Sequence, residues 1–233
     1  MIEFGHGTHV GLRREHNEDT YQADSKAGLW LVADGMGGHE HGEVASAIAR
    51  DIISERIGAG DTLVAAIREA DRAIIAASEC RAGTLPMGTT VAALKISGEV
   101  YQVAWVGDSR VYLVDSGLQQ LSRDHSFVRQ LVDRGAISED EARSHPRRNE
   151  VTQALGITPA ELLQVSCVED QIKPGLQFLV CSDGLTEEVD NAGIEAIVMR
   201  RDLSAQECVD QLIAAALAGG GSDNITAVLV RLS

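Results

Sequence analysis

Six stretches of this chain are almost continuously apolar: LWLVAD (29–34), TTVAALKI (89–96), VYQVAWVG (100–107), RVYLVD (110–115), LQFLVCSD (176–183) and ITAVLVRL (225–232). Each has the length of a strand and is bounded by turn-forming residues. A strand with one wet face alternates apolar and polar residues, so a run without that alternation needs apolar neighbours on both sides. The links SGE (97–99) and DS (108–109) are of hairpin length. They make 89–96, 100–107 and 110–115 antiparallel neighbours rather than partners across a helical crossover.

Antiparallel strands buried on both faces need covering layers, and helical patterns are present to supply them. Val44, Ile48 and Ile52 with Ala45, Ala49 and Ile53 form one apolar face, and Leu63, Ile67, Ala70 and Ile74 form a second behind Asp61 as its cap. Ser204 and Glu207 have the spacing of a capping box, followed by Cys208, Leu212 and Ala216 on the inward side. Residues 126–160 are polar, mixed in period and broken by Pro146 and Pro159. They are predicted to form a small flap subdomain with short helices at 126–134 and 138–143. Without a linker, repeat or low-complexity tract, residues 1–233 read as a single domain of the α+β class.

The apolar runs end or begin at carboxylates. Asp34 closes LVAD, Asp183 follows LVCS, and Asp223 precedes ITAVLV; Glu18 and Asp19 stand in RREHNED, and Asp124 follows the strand-like LQQLS in SRDH. Singly, each reads as a turn aspartate whose side chain bonds its own backbone. Gathered at a common edge they repel one another, and hard divalent ions bound through oxygen relieve that repulsion. An aspartate-dominated set favours Mg²⁺ or Mn²⁺ over zinc, and no loop has the acidic pattern of an EF-hand.

A net charge of -15, from 35 acidic and 20 basic residues, argues against duplex nucleic acid or an anionic membrane as partner. The four cysteines form no CxxC pair, which suits free thiols in a reducing cytoplasm. No signal peptide or apolar run of membrane-spanning length is visible, so a cytoplasmic location is expected.

In order along the chain, RREHNED, LVADGMGGHEHGEVAS, GTT, WVGDSRVY, SRDHS, LVCSDGLTE and GGGSDNITAVLV resemble the metal-dependent protein serine/threonine phosphatases (the PPM family, type 2C), bacterial branch. The resemblance runs from about Gly11 to Val230. It implies an α-β-β-α sandwich of two antiparallel sheets, with metals in a cleft at one sheet edge. By position, Asp34 resembles the carboxylate bridging two core Mn²⁺ or Mg²⁺ ions, and Asp183 and Asp223 resemble further ligands of one of them. The carbonyl of Gly35 resembles a ligand of the other, with Glu18 reaching it through water and Asp19 orienting bound water. Arg14 resembles the phosphate-binding arginine. Asp124 resembles a ligand of a third, weaker ion, shared with Asp183 and Glu187.

The implied reaction is direct attack of a water bridging two ions on phosphoserine or phosphothreonine. The implied substrates are phosphoproteins, targets of a bacterial Ser/Thr kinase, and the chain is expected to act as a monomer. A binding-only relative, or an enzyme for a small phosphate ester, is the alternative. One departure concerns the leaving group. Animal members carry His directly after the DG pair, whereas Met36 stands there in this chain, which leaves His39 or a metal-held water to donate the proton. Asn224 within NIT and Asp108 within GDSR are read as incidental: a glycosylation look-alike and a hairpin turn.

Overall fold

The computed structural model describes residues 2–37, 41–79 and 86–232. The first sheet orders its strands β1 (Ile2–His9), β11 (Ile225–Leu232), β10 (Gln177–Cys181), β7 (Arg110–Val114) and β8 (Leu118–Gln120). The second orders β2 (Asp19–Asp24), β3 (Leu29–Met36), β5 (Val91–Ser97), β6 (Val100–Val106) and β9 (Ser166–Gln171), with the short β4 (Gly88–Thr89) on the end of β3. Every pairing is antiparallel. Helices α1 (His41–Gly58) and α2 (Leu63–Glu79) cover the second sheet, while α6 (Asn191–Val198) and α7 (Ala205–Gly219) cover the first. The expected α-β-β-α sandwich is the fold.

The continuous apolar runs follow from this layering. Leu29, Leu31 and Ala33 of β3 face the helices, and Trp30 and Val32 face the opposite sheet. In β11, Ile225, Ala227 and Leu229 point to α7, and Val228, Val230 and Leu232 point between the sheets. Period-2 side chains therefore meet apolar surface on either side, and neither face of these strands carries a polar stripe. Between the sheets the packing is completed by large rings, with Tyr101 and Phe178 at 4.8 Å between centroids.

Most of the expected elements are present, with informative differences. Runs 89–96 and 100–107 pair as expected, but 100–107 and 110–115 are not hairpin neighbours: β6 pairs with β5 and β9, β7 pairs with β10 and β8, and the short link at 107–109 carries the chain from one sheet to the other. The run 89–96 is broken at Thr90, which is used to hold Asp34. The run 176–183 stops at Cys181, and Asp183 opens a short helix, α5 (Asp183–Thr186). Strands β1, β2 and β9 are not evident in the sequence pattern. β1 and β2 are edge strands carrying polar residues, and β9 is an exposed edge with Glu169 and Asp170 on it.

The α7 capping box forms as expected, Ser204 Oγ accepting from Glu207 N at 3.2 Å and Glu207 accepting from Ser204 N at 2.8 Å. Asp61 does not cap α2: it takes Arg56 at 2.6 Å, and Thr62 accepts from Ala65 N at 3.3 Å instead. Among the described residues, no helix is long and apolar enough to cross a membrane.

The segment between β8 and β9 contains α3 (Phe127–Asp133), capped by Ser126, and α4 (Glu139–Arg143), capped by Ser138. Its two legs are joined at the base by a Ser126–Val151 bridge and by Thr152 N donating to His125 O at 2.7 Å. Cys181 and Cys208 are buried thiols, while Cys167 is exposed on β9 rather than packed in an apolar stretch.

Candidate active site

Strand ends from both sheets meet at one edge of the sandwich. Asp19 and Asp34 are direct partners across β2 and β3, and Asp183 comes off the end of β10 in the other sheet. The Asp34 and Asp183 carboxylates are close enough to act on each other's protonation and line the same cleft. Burial raises the Asp34 pKa well above the usual carboxylate range, and the neighbouring Asp19, Asp183 and Asp108 raise it further. Asp183 is raised as well, first by burial and then by Asp223.

Asp19 is fully enclosed. Its Oδ2 accepts from Ser182 Oγ at 2.8 Å and from Thr226 Oγ1 at 2.7 Å, and burial still pushes the carboxyl up to about 7. The other oxygens are more telling: Asp19 Oδ1 and Asp183 Oδ1 are buried with no hydrogen-bond partner among the described residues. A buried carboxylate oxygen without a donor is costly, and a cation is the partner that such an arrangement lacks.

The backbone around Asp34 is tightly specified. Asp34 O accepts from Thr90 N and from Thr89 Oγ1, both at 2.8 Å, and Asp34 N donates to Thr90 Oγ1 at 3.2 Å. Gly35 N donates to Glu18 O at 3.2 Å. A Cβ on Gly35 would fall 2.2 Å from Gly42 O and 2.7 Å from Glu18 O, so no other residue fits between the two. Glu18 O also accepts from Ser46 Oγ of α1 at 2.6 Å.

The loop carrying Arg14 and Glu18 is held by a residue set aside in the sequence. Asn224 accepts from Glu18 N at 2.8 Å, and its Nδ2 donates to Val10 O at 2.9 Å and to His16 O at 3.0 Å. This buried amide staples the loop to the start of β11. The glycosylation-like pattern around it hid that role.

Arg14 Nη2 donates to Asp223 Oδ2 at 2.6 Å, and that hydrogen bond is the main cause of a raised arginine pKa. Its side chain is half exposed at the mouth of a cleft of about 460 Å³, lined among others by Glu18, Asp34, Gly35, Met36, Asp183 and Asp223. A neighbouring cavity of about 350 Å³ shares Asp108, Asn149 and Asp183 with it and runs beneath α3 and α4 to Glu187. Burial and then Asp183 push Glu187 up to about 7.

Two acids stand in surroundings that the sequence did not reveal. Asp124 does not face Asp183 as a free carboxylate. Arg110 donates to it through Nε and Nη2, at 3.0 and 2.7 Å to Oδ2, and Gln120 Nε2 takes Oδ1 at 2.8 Å. It does not cap α3 either, since Ser126 does. The acid that stands beside Asp183 is Asp108, 8% exposed, whose pKa burial and then Asp183 raise well above the usual range. Sequence reasoning took Asp108 for a hairpin turn; its place in GDSR was the available signal. His39 lies outside the described residues.

Among the described residues, no three Asp, Glu, His or Cys side chains are already gathered around one point as a closed metal cage. The donor set nonetheless fits hard cations: all-oxygen ligands, two orphaned carboxylate oxygens, and two carboxylates close together without a base between them. His125, next to Asp124, accepts from Gly107 N at Nδ1 (3.2 Å) and meets Ser166 Oγ at Nε2 (3.0 Å), with burial lowering its pKa.

Comparison with known proteins gives a consistent picture. Residues 7–219 match the protein phosphatase 2C family. The chain is 37% identical over 239 residues to the serine/threonine phosphatase stp of Listeria innocua, covering 96% of this chain and 93% of that protein. It is 37% identical to the serine/threonine protein phosphatase PstP of Mycobacterium tuberculosis over 94% of this chain, which spans 43% of that relative. The crystal structure of PstP superposes with a TM-score of 0.91 at 34% identity, covering 100% of this chain and 99% of that one. A PstP catalytic domain in complex with two manganese ions superposes at 0.88 and 33% identity, over 99% of this chain and 98% of that one.

Two predictions follow from the electrostatics of the site. Asp19 holds a proton in the folded, metal-free protein at pH values where the unfolded chain has lost it. Its contribution to stability is therefore full below about pH 4 and is lost as pH rises through about 7. Thermal melts of the metal-free protein across this range should show the decline, and saturating Mn²⁺ should remove it while releasing protons. Asp124→Ala leaves the largely buried Arg110 without its partner. It should cost on the order of 3 kcal/mol and lower the melting temperature by about 6–12 °C, read by calorimetry.

Proposed function

The chain belongs to the protein phosphatase 2C family, and from that premise we propose how it works as a metal-dependent phosphoserine/phosphothreonine phosphatase. The observation that carries the reading is the approach of Asp34 and Asp183, carboxylates from opposite sheets, beside Arg14 at the mouth of one cleft. Asp34, Asp183 and Asp223, with the carbonyl of Gly35, would hold two Mn²⁺ or Mg²⁺ ions; Glu18 and Asp19 would act through water. When bound, the ions supply an activated water and neutralise charge around phosphorus.

The remaining work belongs to the chain's own groups. Arg14 grips the phosphate oxygens. In the metal-free arrangement its guanidinium is occupied by Asp223. With Asp223 serving as a ligand, the fork of Arg14 would be free to take two phosphate oxygens. Asp19, fixed by Ser182 and Thr226, presents one oxygen in a single orientation and so sets where water is held. Asn224 fixes the loop between them. With Met36 in the cleft wall, the leaving oxygen takes its proton from His39 or from water.

A third, weaker ion would take Asp183 with Asp108, the acid beside it, because Asp124 is committed to Arg110. The 126–160 segment, which roofs the second cavity, acts as a flap subdomain that reads the substrate protein. The physiological substrates are proteins phosphorylated by a cognate bacterial Ser/Thr kinase. The chain is proposed to act as a monomer in the cytoplasm, whose reducing conditions suit the buried free thiols Cys181 and Cys208.

Phosphate release from a phosphothreonine peptide in Mn²⁺, in Mg²⁺ and in chelator tests the reading. Activity that persists in chelator overturns it. Arg14→Ala should raise KM by about 10–100-fold with a smaller change in kcat, as expected for a lost charged hydrogen bond to ground-state phosphate. Steady-state kinetics with both parameters unchanged would return Arg14 to the surface. Asp108→Asn should lower kcat on the phosphopeptide without the melting-temperature loss of Asp124→Ala; normal turnover would remove Asp108 from the site.

A further inference from the structure

Helix α2 carries a carboxylate on its buried side. Asp71 is 2% exposed, in line with the buried Leu63, Ala66, Ile67, Ala70 and Ile74. An acid in that stripe is costly unless something answers it. Oδ1 accepts from Gly156 N at 2.8 Å, and the charges of Arg68 and Arg72 partly offset the burial.

Gly156 lies far along the chain, at the foot of the returning leg of the 126–160 segment. Its φ of +78° suits glycine, and a Cβ there would fall 2.3 Å from Ile74 Cγ2 and 2.6 Å from Met87 O. The turn is thus pressed onto α2 with no room for adjustment. Next to it, Leu155 is buried and exchanges two backbone hydrogen bonds with Thr89, at 2.9 and 3.1 Å. Thr89 in turn donates through Oγ1 to Asp34 O at 2.8 Å.

We propose that Asp71 is a positioning residue for the metal site: by holding Gly156 against α2 it fixes the Leu155–Thr89 bridge and, through Thr89, the backbone of Asp34. Three short connections join an outer helix, the base of the flap and the central carboxylate. The hydrogen-bond acceptor at Asp71 is the part that matters, since an amide oxygen accepts from Gly156 N as well as a carboxylate does. The inference rests on Asp34 holding metal, as proposed above.

The test is Mn²⁺ binding by titration calorimetry on the whole chain, with the thermal melt of each variant beside it. Asp71→Ala should weaken Mn²⁺ binding by about tenfold at a temperature where it remains folded, in the range of outer-sphere substitutions at metal sites. Asp71→Asn should stay within about twofold of the parent. A lowered melting temperature with unchanged Mn²⁺ affinity overturns the proposal, as does equal weakening in both variants.

Coupling is reciprocal, so the parent chain gives a second reading that does not depend on any variant folding. Mn²⁺ should slow hydrogen exchange, followed by mass spectrometry, in peptides covering 151–158. Exchange there that is indifferent to bound Mn²⁺ overturns the proposal. No Mn²⁺ binding by the parent chain at all would instead overturn the metal-site reading.

Discussion

The structure turns on a repulsion. Asp19, Asp34, Asp108 and Asp183 are drawn together at the rim of the sandwich, and the charges raise one another's proton affinities on top of the effect of burial. A folded chain keeps such a cluster only if the surroundings over-determine it. They do so here. The backbone of Asp34 accepts from Thr90 N and Thr89 Oγ1 and donates to Thr90 Oγ1, Asp19 is held by Ser182 and Thr226, and Ser109, next to Asp108, pairs its hydroxyl with that of Thr90 at 2.7 Å. The cluster carries an unmet demand for positive charge, which protons meet as pH falls.

The distance between the two halves of this cluster is set by sheet packing rather than by any local loop. Asp34 leaves β3 and Asp183 leaves β10, strands of different sheets whose inner faces meet at Trp30, Val32, Phe178 and Val180. Any change in the spacing of the sheets is a change in the spacing of the carboxylates. The cysteine and alanine side chains around them, such as Cys181 and Ala33, are small and fully buried, which lets the strand ends approach. Function is thereby tied to the quality of a hydrophobic core that touches no substrate.

What the sequence made legible was whatever carried a pattern. The double-sided apolar strands, the α7 capping box and the carboxylates at strand ends follow from residue type and spacing. Strands β1, β2 and β9 were hidden because polar edge strands lack the pattern. Asp61 and Thr62 compete for one cap, and the outcome depends on Arg56, five residues earlier in the chain than Asp61 but adjacent in space. The same holds for Asp108 and Asp124. Both are acids near turns, and only the fold reveals that Arg110 claims one and leaves the other facing Asp183. Asn224 escaped for the opposite reason: a short motif with a familiar meaning drew attention from its three hydrogen bonds.

Arg110 shows why these pairings matter beyond bookkeeping of contacts. Its positive charge favours the ionised forms of Asp183 and Asp108, yet its hydrogen bonds go to Asp124 and Tyr112, with Gln120 holding Asp124 from the other side. Were Asp124 absent, the nearest carboxylates for Arg110 would be those of the site itself. A guanidinium there would sit among the carboxylates of the cluster, as Arg14 does at Asp223 from the exposed side. The two arginines are therefore held under different rules. Arg110 is held by a largely buried acid bonded through two of its nitrogens, whereas Arg14 is half exposed and paired with Asp223 through a single nitrogen at the mouth of the cleft.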